Sequence, residues 1–429
     1  MKRLIIVLVI ALVANFAFAG GSNEKQAADE PAQVKEAVEI SMSYYKQEIT
    51  ETLPKLLAAF SAAYPHITIV TEIHPNDGGA TNAAAAAAGT LPDIMQQPGW
   101  TAIIENAKNG YILNLSDQPI MDSVIDAALP AVTYEGKKYA VPMDFAGIGI
   151  IYNEKIFAKY NLEAPATYLE LQQVAATLTE NGVTPFAGLL KENWSIGHFL
   201  SMLHGSMLGA EVGGAGVAEF AAKMNVGEAD WGAVVDTRKM FRIIDWYVAN
   251  MDASAFEMNW DEQQAAFAQE EAAMMVQGLW SYGAAIGTNP SLECGFIPFP
   301  WSNNADDNKF FADVDSTFTV SAQSSPAEQE ASLLFINWLN SPEAVKIWTE
   351  DIKLTSTFKG ADLSAMAKPF QDLMESSATG AYPWEFQLSP TPTWEQATKN
   401  GAHSYVLGTS TPEAVIKGIN ESWVANYTK

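Results

Sequence analysis

The stretch Gly136-Lys137-Lys138-Tyr139-Ala140-Val141-Pro142, continuing through Asp144 to Ile150-Ile151-Tyr152-Asn153-Glu154-Lys155-Ile156-Phe157, organises the reading of this 429-residue chain. A turn opens it, a short strand ends at Pro142, and a loop carrying Asp144 follows. A second apolar strand then delivers Tyr152-Asn153 to a helix. After Asn161-Leu162, the segment Ala164-Pro165-Ala166-Thr167-Tyr168-Leu169-Glu170 starts another helix, with Thr167 and Glu170 at capping-box spacing.

Upstream, Val38, Ile40, Met42 and Tyr44 alternate with other residues as a strand. Leu53, Leu56, Leu57, Phe60 and Tyr64 follow helical spacing, with Pro54 tolerated in the first turn. Ile67 to Ile73 is the next strand, so this region reads as a βαβ unit. The alanine run within 80–89 predicts a helix stopped by Gly89, and Leu91-Pro92-Asp93-Ile94-Met95 follows it.

Downstream, helices are expected over 196–208, 234–249 and 261–269, and strands over 184–189, 295–300 and 316–321. Met274-Met275-Val276-Gln277-Gly278-Leu279-Trp280 is an apolar run that closes on Gly-x-Trp. Ser325-Pro326-Ala327-Glu328 joins an N-cap, a proline at the first helical position and a capping glutamate. The pattern returns as Ser341-Pro342-Glu343 and Thr411-Pro412-Glu413. Strands alternating with helices throughout indicate an α/β architecture.

Residues 1–19 have the form of a secretion signal: Lys2 and Arg3, an apolar run, then Ala17-Phe18-Ala19 before Gly20. No cysteine follows that run, so no lipid attachment is encoded there, and the expectation is an exported, periplasmic protein. A polar tail over 20–37 comes next, and the remaining chain is longer than one hydrophobic core usually serves. The net charge of −26 repels phosphate backbones and argues against nucleic acid as a partner. Cys294 is the single cysteine; with no positioned base nearby it reads as a buried thiol. His66, His74, His198, His204 and His403 form no metal-ligand spacing, and no cofactor motif is present.

The segment 136–170, with the βαβ opening, the Pro-Asp strand and the Gly-x-Trp turn in this order, resembles the extracellular solute-binding proteins of family 1. These are the maltose-binding-protein-like receptors of carbohydrate ABC transporters. The resemblance implies a type II periplasmic-binding-protein fold, two α/β lobes joined by about three crossings with a ligand cleft between them. Lobe 1 would comprise 38–145 plus 316–352, and lobe 2 146–315 plus 353–429. It further implies a monomeric, non-enzymatic receptor with a sugar ligand, a permease partner and no cofactor.

Trp246, Trp338, Trp348 and Trp423 lie within helical apolar patterns and read as core. Trp100, Trp194, Trp231, Trp260, Trp280, Trp301, Trp384 and Trp394 sit at element ends, which suggests a partly apolar cleft. Sugar rings stack on such faces while their hydroxyls take carboxylate or amide partners. The resemblance places Tyr45, Gln47, Glu48, Gln97, Trp100 and Asp144 at the cleft from one side. It adds Trp194, Trp280, Asp313, Asp315 and the loop Tyr382-Pro383-Trp384-Glu385. A cleft rich in tryptophan and aspartate also suits a cationic amine. Asp313 and Asp315, two apart on a strand, would share a face and allow a glycoside hydrolase as a more distant alternative.

Overall fold

The computed structural model describes residues 36–426, apart from 75–77, 363, 365, 378–379, 385–387 and 389–391. The expected signal, nearly all of the expected tail, and Glu385 lie outside the described residues. One sheet runs through the molecule. Its strands are β1 (Val38–Tyr44), β2 (Ile67–Ile73), β3 (Ile94–Gln97), β4 (Val141–Asn153), β5 (Thr184–Phe186), β6 (Ala272–Gly278), β7 (Cys294–Ile297) and β8 (Phe311–Val320). The order is β2-β1-β3-β8-β4-β6-β5, and β7 pairs with β4 beyond the point where β8 leaves it. The first three strands are parallel, as the βαβ spacing requires, whereas β8 is antiparallel to both β3 and β4.

The strand, loop and strand expected around Pro142 form one continuous strand, β4. Proline has no ladder donor and survives on one-sided stretches or at bulges. Up to Gly147 the β-ladder of β4 is with β8 alone, and from Ile148 to Tyr152 it is with β6. The ladder also shifts register twice here, between Val314 and Ser316 and between Ser316 and Thr317. Asp315 is therefore unmatched on β8 and Met143 on β4, the signature of bulges.

Helix starts follow the local capping chemistry. Thr167 with Glu170 and Ser325 with Glu328 each form the reciprocal capping box, and Pro342 and Pro412 begin helices. The expected 196–208 helix extends over Asn193–Asn225, interrupted at Gly213, whose φ of 77° and ψ of 162° are not helical. A glycine is needed there because a side chain at that φ is strained. The others run Thr237–Ala249 and Trp260–Ala268.

Two large apolar clusters flank the long strands. One gathers residues of 40–143 and 314–358, centred on Phe60, Phe318 and Phe335; Phe60 meets Phe335 edge-on at 5.1 Å. The other gathers residues of 146–311 and 382–423. A smaller cluster containing Phe267, Phe296, Phe310 and Leu373 covers the far face of β6 and β7. Cys294 is buried, and burial pushes its thiol up to about 12, which leaves no thiolate at neutral pH. A third chain passage lies along β4, where the Phe145 amide donates to Thr355 Oγ1 at 2.7 Å and the Thr357 hydroxyl donates to the Pro142 carbonyl.

Candidate functional site

Where β1 ends, the 3-10 turn Gln47–Ile49 carries the chain past the bulged stretch of β4 and β8. Lys46, just before that turn, is 2% exposed, and its ammonium donates to Asp144 Oδ2 at 2.9 Å, to Glu48 Oε1 at 3.2 Å and to Asp315. Three carboxylates thus share the three hydrogens of one buried cation. Burial would lower the Lys46 ammonium, but Asp144, Asp315 and Glu48 outweigh it and hold it well above its ordinary value. Asp315 carries the cost of crowding: burial, with Asp144 and Glu48 adding to it and Lys46 opposing, raises its carboxyl to about 6. Asp144 also accepts from the Ser316 amide at 3.0 Å and from the Ser316 hydroxyl, so it bridges the register shift. Tyr45 donates its hydroxyl to the Asp315 carbonyl at 2.7 Å.

Asp313 stands one turn of the pleat away. Its Oδ2 accepts from Trp100 Nε1 at 2.7 Å and its Oδ1 from the Val314 amide at 2.7 Å. Burial prevails over these bonds and raises the carboxyl to about 6. The bulge at Asp315 breaks the alternation expected to place the two aspartates on one face, and their partners differ: Trp100 for one, Lys46 for the other.

A small recess opens at the end of β6, lined by Ile148, Trp194, Ser195, His198, Gln277 and Trp280 among others. The Trp280 indole lies against Gly278, where an added Cβ would come within 2.1 Å of the ring. Around it stand His198, edge-on at 6.4 Å, and Trp384, edge-on at 6.0 Å. Trp194 meets His198 at 5.6 Å and donates its indole N–H to Glu192, which also accepts from the Trp260 amide at 3.0 Å. Both Trp194 and Trp280 remain partly accessible. On the other side of His198, Glu395 lies at 3.5 Å and bonds Lys399 at 2.6 Å. Burial lowers the His198 imidazole from its ordinary range, with Glu395 opposing. A larger recess of about 590 Å³ lies between Tyr282, Ile286, Glu350, Lys353 and Phe370, and none of the expected site residues lines it.

The expected residues therefore divide. Trp194 and Trp280 share the recess, Tyr45, Glu48 and Asp315 sit on the Lys46 cluster with some exposure, and Gln47 is exposed beside them. Gln97, Asp144, Asp313, Tyr382 and Trp384 are buried. Gln97 donates to Thr319 and accepts from Asn106, Trp384 donates to the Phe311 carbonyl, and Tyr382 packs on Gly209. The general expectation of cleft tryptophans needs correction: Trp231 stacks on His204 at 3.7 Å, Trp394 packs on Trp423 at 4.5 Å, and Trp301 is 9% exposed. Lys46 was not anticipated. Its only sequence signal is its place between Tyr45 and Gln47, since a lysine in so acidic a chain reads as a solvated counter-charge. Among the described residues no His, Cys, Asp and Glu group has metal-binding geometry, and no helix is long and apolar enough to cross a membrane.

The chain is 24% identical over 266 residues to the multiple sugar-binding protein of Streptococcus mutans, covering 61% of this chain and 62% of that protein, under two thirds of its length. In structure it resembles a chitin oligosaccharide binding protein with a TM-score of 0.79 and 22% identity, over 91% of this chain and 99% of the other. It also resembles RafE in complex with raffinose, with a TM-score of 0.77 and 19% identity over 91% of this chain and 100% of that one. These likenesses establish the two-lobed type II binding-protein fold. Residues 46–346, more than half of the sequence, match the model of the bacterial extracellular solute-binding proteins, and the chain belongs to that family.

Proposed function

We propose that this protein is an exported receptor that binds a sugar, a mono- or oligosaccharide, between its two lobes and passes it to an ABC importer permease. The observation that carries the reading is Trp280. Its indole is seated on Gly278 at a strand end, braced by His198 and Trp384, and keeps an accessible portion beside Trp194. A rigid, partly exposed indole suits the C–H face of a pyranose, and Glu48 and Asp315 offer acceptors for hydroxyls. The sugars named for the relatives support the same ligand class. The two apolar clusters support a division into lobes close to 38–145 plus 316–352 and 146–315 plus 353–429. The protein acts as a monomer, and binding without turnover is its activity: Asp313 and Asp315 are each committed to protein donors.

A thermal-shift screen of the exported chain against mono-, di- and oligosaccharides tests the reading, because a ligand of the folded state must raise the melting temperature. A shift confined to one sugar class and abolished by Trp280→Ala supports it. No shift with any sugar overturns it. The surplus of carboxylates over Lys46 favours a second reading, a cationic amine ligand. Polyamines in the same screen separate the two, since amine binding weakens with added salt and sugar binding does not.

A further inference from the structure

We propose that Glu192 is a positioning residue that locks the Trp194 ring in register with Trp280 before a ligand arrives. Its consequence for binding rests on the sugar reading above. Glu192 stands at the N-cap of the helix Asn193–Asn225, yet its side chain makes no cap bond to that helix. An N-cap carboxylate ordinarily accepts from the first turn of its own helix. Here Oε2 accepts instead from the Trp194 indole N–H, and Oε1 from the Trp260 amide at 3.0 Å. Trp260 opens the helix Trp260–Ala268, so that amide has no partner within its own helix. The carboxylate thus lies where two helices begin, and both helix ends favour a negative charge.

A second anchor runs on toward Trp280. The Trp260 indole donates to Ser281 Oγ at 3.3 Å, and Ser281 is fully buried in the turn Leu279–Ser281 that carries Trp280. Glu192 therefore holds Trp194 with one oxygen and, with the other, a residue bonded to the turn of Trp280. The two rings flank His198, Trp194 at 5.6 Å and Trp280 at 6.4 Å, and both keep an accessible portion. Both Glu192 oxygens go to protein donors, so its effect on a ligand passes through Trp194. A side chain that is free until binding must be immobilised by the ligand, which weakens affinity; a ring fixed beforehand avoids that loss.

The test compares the exported chain with Glu192→Ala, Glu192→Gln, Trp194→Ala and the Glu192→Ala, Trp194→Ala double variant. Without ligand, the Trp194 indole proton, assigned by its loss in Trp194→Ala, is followed by nuclear magnetic resonance. Its exchange with solvent should be slow in the parent and clearly faster in Glu192→Ala. Affinity is then measured by titration calorimetry against a panel of mono-, di- and oligosaccharides. Glu192→Ala should weaken sugar binding about two- to tenfold, the cost of ordering one side chain. Glu192→Gln, which has one acceptor oxygen for two donors, should fall between parent and Glu192→Ala. In the Trp194→Ala background the loss should vanish, because the lock acts through that ring alone. A merely structural glutamate would instead change melting temperature in both backgrounds and leave affinity alone. Where Glu192→Ala does not fold, Glu192→Gln carries the same comparison. Unchanged Trp194 exchange, or an affinity loss that persists without Trp194, overturns the proposal. A parent that binds no sugar overturns the sugar reading instead, and the indole exchange then decides the lock by itself.

Discussion

At the scale of the residue, the governing fact is one ammonium among three carboxylates. Taking Lys46 out of water is costly, and the arrangement persists because every hydrogen of the ammonium has an anionic acceptor. Removing the cation leaves buried acids facing one another. Lys46→Met should therefore destabilise the protein by roughly 3–5 kcal/mol, the range for breaking a buried pair. Urea denaturation measures it, and a loss below about 1 kcal/mol would place the cluster in the class of surface pairs. Glu395 gives a pH-dependent counterpart. Burial would raise its carboxyl, but the His198 hydrogen bond and the Lys399 charge prevail and hold it at about 2. A carboxyl held lower in the folded state than in the unfolded one contributes stability above its ordinary value of 4.5, and that contribution is lost as pH falls toward 2. The stability deficit of Glu395→Gln should accordingly be larger at pH 7 than at pH 3. An equal deficit at both values would mean that packing, not charge, holds the helix there.

At the scale of the element, the end of β6 shows how a strand aims a ring. Gly278 has an ordinary φ of −74°, so its role is space: an added methyl would sit 2.1 Å from the indole of Trp280. Gly278→Ala should cost about 1–3 kcal/mol, as overpacking does, and displace the indole from His198 and Trp384. A changed tryptophan emission spectrum with weakened ligand binding is the expected result; a folded variant with parental stability and spectrum would contradict it. Elements of this kind differ in how legible they were. The Ser-Pro-x-Glu and Thr-x-x-Glu starts were readable because a cap is satisfied within four residues of itself. The Gly-x-Trp turn was readable through the family resemblance rather than through local chemistry. The Lys46 cluster was not, because Asp144 and Asp315 lie 98 and 269 residues away in the chain. The burial of Trp231, Trp384 and Trp394 was not legible because a loop position in sequence carries no statement of burial, and here neighbouring helices and strands close over them. The bulges that turn an expected loop into the middle of β4 likewise depend on its partner strand.

At the scale of the molecule, the two lobes share their central strands. β4 contributes Val141 and Met143 to one large cluster and Ile148 and Ile150 to the other; β8 contributes Val320 and Phe318 to the first and Phe311 to the second. Melting either cluster would strand half of each shared element without its packing, and would also release the Lys46 cluster at the bulge between them. Multidomain chains often unfold in steps because few contacts cross their boundaries. Here the boundary runs through continuous strands, so the lobes should unfold together. Calorimetry should give one transition with equal calorimetric and van't Hoff enthalpies, coincident with loss of far-ultraviolet dichroism and of tryptophan fluorescence. Two resolved peaks would show that each lobe has a self-sufficient core and that the shared strands couple them weakly. Saturating ligand sharpens the test: at a hundred times Kd it adds about 2.7 kcal/mol to whatever unit it binds. If the sheet unites the lobes, the single peak moves upward intact, whereas ligand splitting it in two would confine the binding energy to one lobe and refute the coupling.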